Sequence, residues 1–136
     1  MIILCHIGMG DHLICQGLVR FISSTRHSCV SIPCLAHNLP SLRHMYEDNE
    51  NIKFMVISGH QDMLDLTSKR ECIRLGMYSG EEWNPLRFDQ EFYRQAEVDF
   101  SERWNGFKLP KLQERSVWPN SYNFLHETGE YKASQY

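Results

Sequence analysis

The order of apolar and polar positions in the first part of the chain predicts three strands alternating with two helices. Residues 1–7 are mostly apolar, as in a buried strand, and residues 11–24 place their apolar side chains on one helical face. Further strands are predicted over residues 27–34 and Ile52–Ile57, with a short helix over residues 41–47 between them. This β-α-β-α-β order is the opening half of a doubly wound sheet.

The pattern of apolar positions weakens after Gly59. Three apolar residues there fit either a short helix or an irregular segment: Met63, Leu64 and Leu66. A stretch rich in turn-forming residues follows at residues 76–85. The pattern becomes clear again at residues 88–97, where an apolar side chain recurs every four residues, and this spacing predicts a helix.

Length and composition indicate one folded domain. The chain has 136 residues, of which 42% are hydrophobic, and this is enough to bury a core. We expect a single α/β domain over residues 1–127, with a fourth strand at residues 122–126, and a polar tail at residues 128–136 that frays. The expected architecture is a three-layer sandwich on a mainly parallel sheet of about four to six strands.

Charge and cysteine content exclude several classes of partner. The net charge of −3, without a basic stripe, argues against a nucleic-acid partner. No apolar run has the length of a membrane span or a signal sequence, so no membrane span is expected. The five cysteines do not have the spacing of a disulfide framework, which indicates reduced thiols and a cytoplasmic location.

The most informative motif lies where the first strand ends, in the loop Gly8-Met9-Gly10-Asp11-His12. The two glycines allow a close backbone approach to a ligand, and Asp11 begins a helix. Because ligands of open α/β sheets bind at the carboxyl ends of strands, this loop is the predicted site. As a structural alternative, Asp11 merely caps its helix, and His12 is simply exposed to solvent.

Cofactor and metal motifs do not fit the chain. A dinucleotide-binding loop would need glycine where Leu13 stands, and an acidic residue where Pro33 and Cys34 stand. No nicotinamide or flavin cofactor is therefore expected. The residues that suggest a zinc site are His27, Cys29, Cys34 and His37. A second ligand pair is missing from this set, so no metal is expected.

The segment from Cys5 to Gly10 resembles the phosphocysteine loop of the IIB components of sugar phosphotransferase systems. The resemblance implies a carrier whose Cys5 accepts a phosphate. In that family, small hydroxylic residues follow the glycines, whereas Asp11 and His12 stand there in this chain. A carboxylate at that position repels a phosphate dianion, and Cys5 also suits a core position.

Residues 8–14, followed by Gly17-Leu18-Val19, resemble the start of the two-domain GT-B glycosyltransferases, notably the heptosyltransferase-like group. The resemblance implies a Rossmann-like domain in which Asp11 acts as the catalytic base for the acceptor hydroxyl. The residues implied to contact the acceptor sugar or the donor diphosphate are Gly8, Met9, Gly10 and His12. A nucleotide sugar would be a substrate, so the resemblance implies no cofactor.

The resemblance covers residues 1–25 and implies that the chain is the amino-terminal half of a GT-B enzyme, whose second domain supplies most of the nucleotide-sugar site. It therefore implies that the partner is a second GT-B domain or another copy of the chain in a homo-oligomer. The alternative to a glycosyltransferase domain is a non-catalytic module that binds a sugar or a nucleotide sugar. Residues 88–96 and 100–104 resemble a helix pair of glycosyltransferase-like proteins. Candidate ligand contacts there are Tyr93, Arg94 and Arg103, although the aromatic residues also fit a core stripe, and Arg103 also suits pairing with Asp99 or Glu102.

Overall fold

Four short strands form one parallel sheet in the order β3-β2-β1-β4. Strand β1 spans Ile2–Leu4, β2 Val30–Leu35, β3 Ile52–Ile57 and β4 Cys72–Arg74. Each pair of neighbouring strands is parallel, so the chain has the mixed α/β fold that its pattern predicts. The structure is a computed structural model and describes residues 1–26, 29–69, 72–76 and 87–108.

Helices fill the connections between the strands. In chain order they are α1 Met9–Ile14, α2 Gln16–Thr25, α3 Leu39–Met45, α4 His60–Lys69, α5 Phe88–Gln95 and α6 Glu102–Asn105, with a 3-10 turn at Ala36–Asn38. In the described part of the chain, no helix combines the length and the apolar character needed to cross a membrane.

The predicted elements agree with the structure to different degrees. The strand at Ile52–Ile57 is confirmed, and the helix predicted over residues 88–97 is confirmed as α5. The ambiguous segment after Gly59 is the regular helix α4, whose Met63 is buried. The single helix predicted over residues 11–24 is wrong, because α1 and α2 are separate helices that meet at Cys15.

The fourth strand of the sheet lies at Cys72–Arg74, where no strand was predicted. Three residues are too few to show the alternation that identifies a strand. This strand forms instead because it pairs with β1, residue for residue, from Ile2 with Cys72 to Leu4 with Arg74. The strand predicted at residues 122–126 lies outside the described residues.

Pro33 lies inside β2, within the range of the strand predicted over residues 27–34. The amide of Val30 donates to Asn51 beside β3, whereas the amide of Ser31 donates to Met1 beside β1. Because this direction alternates along a strand, Pro33 faces β1 and has no N–H to donate to it. Strands β1 and β2 accordingly pair before Pro33, at Ile2 with Ser31.

Alternate residues of β1 point into different apolar clusters. Ile3 joins a large cluster formed with α2, α3 and α5, whereas Ile2 and Leu4 join a smaller cluster that includes Met63 of α4. Successive side chains of a strand point to opposite faces of its sheet. Both faces of β1 are therefore packed against apolar side chains.

A buried arginine links α2 to the end of α3. Arg20 is 8% exposed, and its guanidinium donates to both carboxylate oxygens of Asp48, at 2.7 and 3.1 Å. It also donates to the Met45 carbonyl at 2.9 Å and lies 5.1 Å from the centre of the Tyr46 ring. The hydrogen bond from Arg20 is the main reason why the pKa of Asp48 lies below its usual value.

The ion pair of Asp48 predicts a specific acid sensitivity. Because the folded-state pKa of Asp48 is the lower one, its ionised form stabilises the fold at neutral pH. That contribution disappears as the pH falls from about 4, the unfolded-state value, through the lower folded-state pKa. We expect Asp48→Asn to be less stable than the wild type at pH 7, and to lose less stability on acidification.

Urea unfolding between pH 7 and pH 3, at roughly half-unit steps, measures this difference across the relevant range of pKa values. The exposed Glu50→Gln is the matched control for the loss of one carboxylate, and it should follow the wild type. If the free energy of unfolding changes with pH in the same way for Asp48→Asn and the wild type, ionised Asp48 does not stabilise the fold.

Candidate functional site

The strand order places a topological switch point between β1 and β4. The chain passes from β1 to β2 on one side of the sheet, and it returns to pair β4 with the other side of β1. In open α/β sheets, ligands bind outside the carboxyl ends of the strands at such a point. The predicted Gly8–His12 loop leaves β1 at this edge, which makes the edge the candidate site.

Gly8 lies close to the Asp11 carboxylate. Gly8 is the N-cap of α1, with φ −73° and ψ 142°, so any residue can adopt its backbone conformation. A Cβ atom at Gly8 would lie 2.8 Å from Oδ2 of Asp11, whereas one at Gly10 would have no atom within 4 Å. The two glycines of the motif therefore differ: a side chain at position 8 displaces the carboxylate, and one at position 10 does not.

The Asp11 carboxylate is the polar group that the loop offers to a ligand. Asp11 is half-buried in the first turn of α1, while the N-cap position belongs to Gly8. The alternative of Asp11 as the N-cap residue is therefore wrong. Within the described ranges, no hydrogen bond or ion pair engages this carboxylate.

The side chains of Met9 and His12 face the protein rather than the solvent. Met9 is half-buried against the larger apolar cluster, and His12 is only 1% exposed. The alternative of an exposed His12 is therefore wrong, and a ligand at the surface does not reach its ring in this conformation. The loop presents the backbone of Gly8 and Gly10, which are both exposed, together with the Asp11 carboxylate.

Two cysteines and His12 form a buried cluster beneath the loop. Cys5 and Cys15 are 1% and 0% exposed, and both are free thiols. A hydrogen bond from Cys15, helped by His12, lowers the pKa of Cys5 to about 6 although burial opposes this change. The same bond, together with burial, raises the pKa of Cys15 well above its usual value. Nε2 of His12 is buried and has no hydrogen-bond partner among the described residues.

Side-chain hydrogen bonds hold the end of β1 from both neighbouring strands. Asn38, which follows β2, donates through Nδ2 to the Ile7 carbonyl at 3.0 Å. On the other side, His6 Nε2 lies 2.8 Å from the Gly76 carbonyl, which follows β4. His6 is not among the site residues predicted from the sequence, although its position two residues before Gly8 was a usable signal.

Tyr93 connects α5 to the junction between α1 and α2. Its hydroxyl donates to the Ile14 carbonyl at 3.0 Å and accepts from the Leu18 amide at 3.2 Å. In a continuous helix, the amide of Leu18 would bond directly to the carbonyl of Ile14. The hydroxyl takes the place of that bond, and this is why the single predicted helix is divided at Cys15.

The other candidate contacts on α5 and α6 also have protein partners. Arg103 pairs with Asp89, rather than with Asp99 or Glu102 as considered from the sequence. Arg94 donates through Nε to Glu91 at 2.8 Å, and the hydrogen bond from Arg94 lowers the pKa of the Glu91 carboxyl. Tyr93 is fully buried, so its aromatic ring belongs to the core.

Of the four candidate zinc ligands, the structure describes Cys29, Cys34 and His37. Cys29 is exposed, Cys34 is buried in β2, and His27 lies outside the described residues. In the portion of the chain that the structure describes, no group of three or more histidine, cysteine or acidic side chains is placed to hold a metal ion.

Comparison of the chain with protein families, with curated proteins and with solved structures gives no significant match. The fold and the loop geometry therefore define the class: a parallel α/β domain with a candidate ligand site at the end of its first strand.

Proposed function

We propose that this chain is a glycosyltransferase-like domain, equivalent to the amino-terminal half of a GT-B enzyme, that binds a sugar ligand beside the Gly8–His12 loop. The observation that carries the proposal is the half-buried Asp11 carboxylate, without a protein partner in the described ranges, at the switch point of a parallel sheet. Apolar contacts on both faces of β1 support the three-layer Rossmann-like sandwich that this class of domain has.

The chemistry of Asp11 suits an acceptor hydroxyl. An ionised carboxylate accepts a hydrogen bond from a sugar hydroxyl and orients its oxygen toward an electrophilic carbon. As the new bond to the anomeric carbon forms, the hydroxyl proton becomes acidic and passes to the carboxylate, as in general base catalysis. Transfer requires a second domain, which would hold the nucleotide sugar and stabilise its leaving diphosphate.

A non-catalytic sugar-binding module is the second candidate, and it uses the same carboxylate without a transfer step. The phosphocysteine carrier is less consistent with the geometry. Cys5 is 1% exposed, and a nucleophile must reach the phosphorus of its donor. Phosphate transfer to Cys5 would therefore require the cluster with Cys15 and His12 to open.

Titration of the ¹⁵N-labelled chain followed by NMR tests the proposal directly. The probes are UDP-glucose, GDP-mannose and methyl α-D-glucopyranoside, each at millimolar concentration. We expect at least one probe to shift the amide signals of Gly8, Gly10 and Asp11 in a saturable way. If none of the three shifts these signals, the proposed site is wrong.

Three variants separate the role of Asp11 from general damage to the loop. Asp11→Asn should weaken probe binding about 10- to 100-fold, since hydrogen bonds to a charged group contribute about 1.5–3 kcal/mol. Gly8→Ala should show a similar loss, because its Cβ displaces the carboxylate. Gly10→Ala adds the same methyl group without touching the carboxylate. A smaller loss of affinity in Gly10→Ala than in Gly8→Ala would attribute the difference to the displaced carboxylate. Unchanged affinity in Asp11→Asn would remove the carboxylate from the site.

A further inference from the structure

His6 lies where the backbone pairing of β1 and β4 ends. The last bond of this ladder runs from the Leu75 amide to the Leu4 carbonyl, at 2.9 Å. Continuing the register from Leu4 with Arg74 places His6 opposite Gly76. At that point a side-chain hydrogen bond replaces the backbone pairing, with Nε2 of the His6 imidazole 2.8 Å from the Gly76 carbonyl oxygen. The side chain of His6 therefore lies at the switch point itself.

The bond to Gly76 determines which ring nitrogen carries the hydrogen. A carbonyl oxygen only accepts hydrogen bonds, so Nε2 is the protonated nitrogen. In the neutral ring, Nδ1 then has a free lone pair. Among the described residues, no hydrogen bond engages Nδ1, and the His6 side chain is only partly buried.

The ring of His6 is held in place before any ligand arrives. It stacks on Phe92 with centroids 6.3 Å apart and an interplanar angle of 20°. Gly76 is itself fixed, since its amide donates to Gln95 Oε1 at 2.8 Å. Its φ of 71° favours glycine, and a Cβ atom there would overlap the His6 ring. The ring orientation is therefore fixed before a ligand binds, as a preorganised binding group requires.

We propose that Nδ1 of His6 accepts a hydrogen bond from a sugar hydroxyl of the bound ligand. This inference rests on the proposed function. A lone pair attracts a hydroxyl hydrogen and repels a phosphate oxygen. Together with the carboxylate of Asp11 on the Gly8–His12 loop that follows, His6 gives this edge of the sheet two hydrogen-bond acceptors. Its substrate class is therefore an uncharged, hydroxyl-rich acceptor sugar, and a donor diphosphate is disfavoured at this edge.

His6→Gln is the decisive variant. With the glutamine amide nitrogen donating in place of Nε2, the amide oxygen points to the side opposite Nδ1, so no acceptor remains at the position of Nδ1. Among the three NMR probes, we expect methyl α-D-glucopyranoside to bind and to move the Nδ1 signal of His6. In His6→Gln its affinity should fall about 3- to 10-fold, as for the loss of one neutral hydrogen bond. The thermal unfolding midpoint should stay near that of the wild type. A merely structural His6 would be fully rescued by glutamine.

The possible results separate this inference from the proposed function. Long-range ¹H–¹⁵N correlation spectra of the free chain report the protonated ring nitrogen, and a hydrogen on Nδ1 of the neutral ring would overturn the assignment without any ligand. If the wild type binds the glucoside and His6→Gln binds it equally well, the role of His6 is wrong while the site at Gly8 and Gly10 stands. Binding of the nucleotide sugars alone would overturn the proposed preference for an uncharged sugar. If no probe shifts the loop signals, both proposals fail.

Discussion

Replacing Gly17 by alanine is expected to lower the free energy of unfolding by about 2–3 kcal/mol, the cost of forcing an extra carbon into a packed contact. Gly17 lies in α2 where this helix crosses α6, and a Cβ atom there would overlap the carbonyl oxygen of Glu102. Backbone atoms cannot move aside as a flexible side chain can. The crossing is equally close from the other helix, since a Cβ at Gly106 would lie 2.8 Å from the Gly17 Cα.

Hydrogen bonds beside the crossing provide a local measure of its opening. The Gln16 side chain donates to the Lys108 carbonyl at 2.9 Å and accepts from the Lys108 amide at 2.7 Å. In Gly17→Ala, exchange of the Lys108 amide with deuterium should accelerate together with the loss of global stability. Gly10→Ala is the matched control, because its Cβ meets no atom within 4 Å. Equal unfolding midpoints for the two variants would contradict the close backbone packing of α2 against α6 at Gly17.

The sequence predicted the elements that have their own periodic pattern. The strand Ile52–Ile57 and the helix α5 each contain enough residues for their period to be recognised, and both were predicted. Strand β4 has three residues and forms through its pairing with β1, a contact between distant parts of the chain. No local pattern of apolar residues contains that information.

In the candidate site too, features with a local sequence pattern were predictable, and features that depend on tertiary packing were not. The glycines and the aspartate of the loop were recognisable because a strand followed by small residues and a helix has a local signature. The contact of His6 with Gly76 joins residues 70 positions apart, and the burial of His12 is a property of the folded packing rather than of a local pattern. Histidine occurs in both buried and exposed positions, so residue type alone did not separate these two roles.

The site and the rigid core are linked through the short helix α1. Its first residue follows Gly8 of the loop, and its last residue, Ile14, is bound by Tyr93. The position of the Asp11 carboxylate therefore depends on contacts made at both ends of a helix of only six residues. A helix of this length is not stable on its own, so tertiary contacts must hold it.

Tyr93→Phe is therefore expected to affect both stability and the loop. Removing the hydroxyl leaves the Ile14 carbonyl and the Leu18 amide without their partner, and the Tyr93 side chain is fully buried. An unpaired buried polar group costs about 1–3 kcal/mol, so we expect a loss of about 2–3 kcal/mol if the helix junction keeps its shape. Burial also holds the pKa of Tyr93 well above its usual value, so the hydroxyl stays protonated and donates throughout the range of folded pH.

Tyr46→Phe is the matched control, since Tyr46 is 3% exposed and the change in atoms is the same. Its hydroxyl bridges no break between helices among the described residues, so this variant should lose much less stability in urea unfolding. In Tyr93→Phe, amide exchange should accelerate from Leu18 back through α1 to the loop, and sugar affinity should fall with it. Equal stability of the two variants would mean that Leu18 bonds directly to Ile14 once the hydroxyl is gone. The division of the helix at Cys15 would then have a cause other than Tyr93.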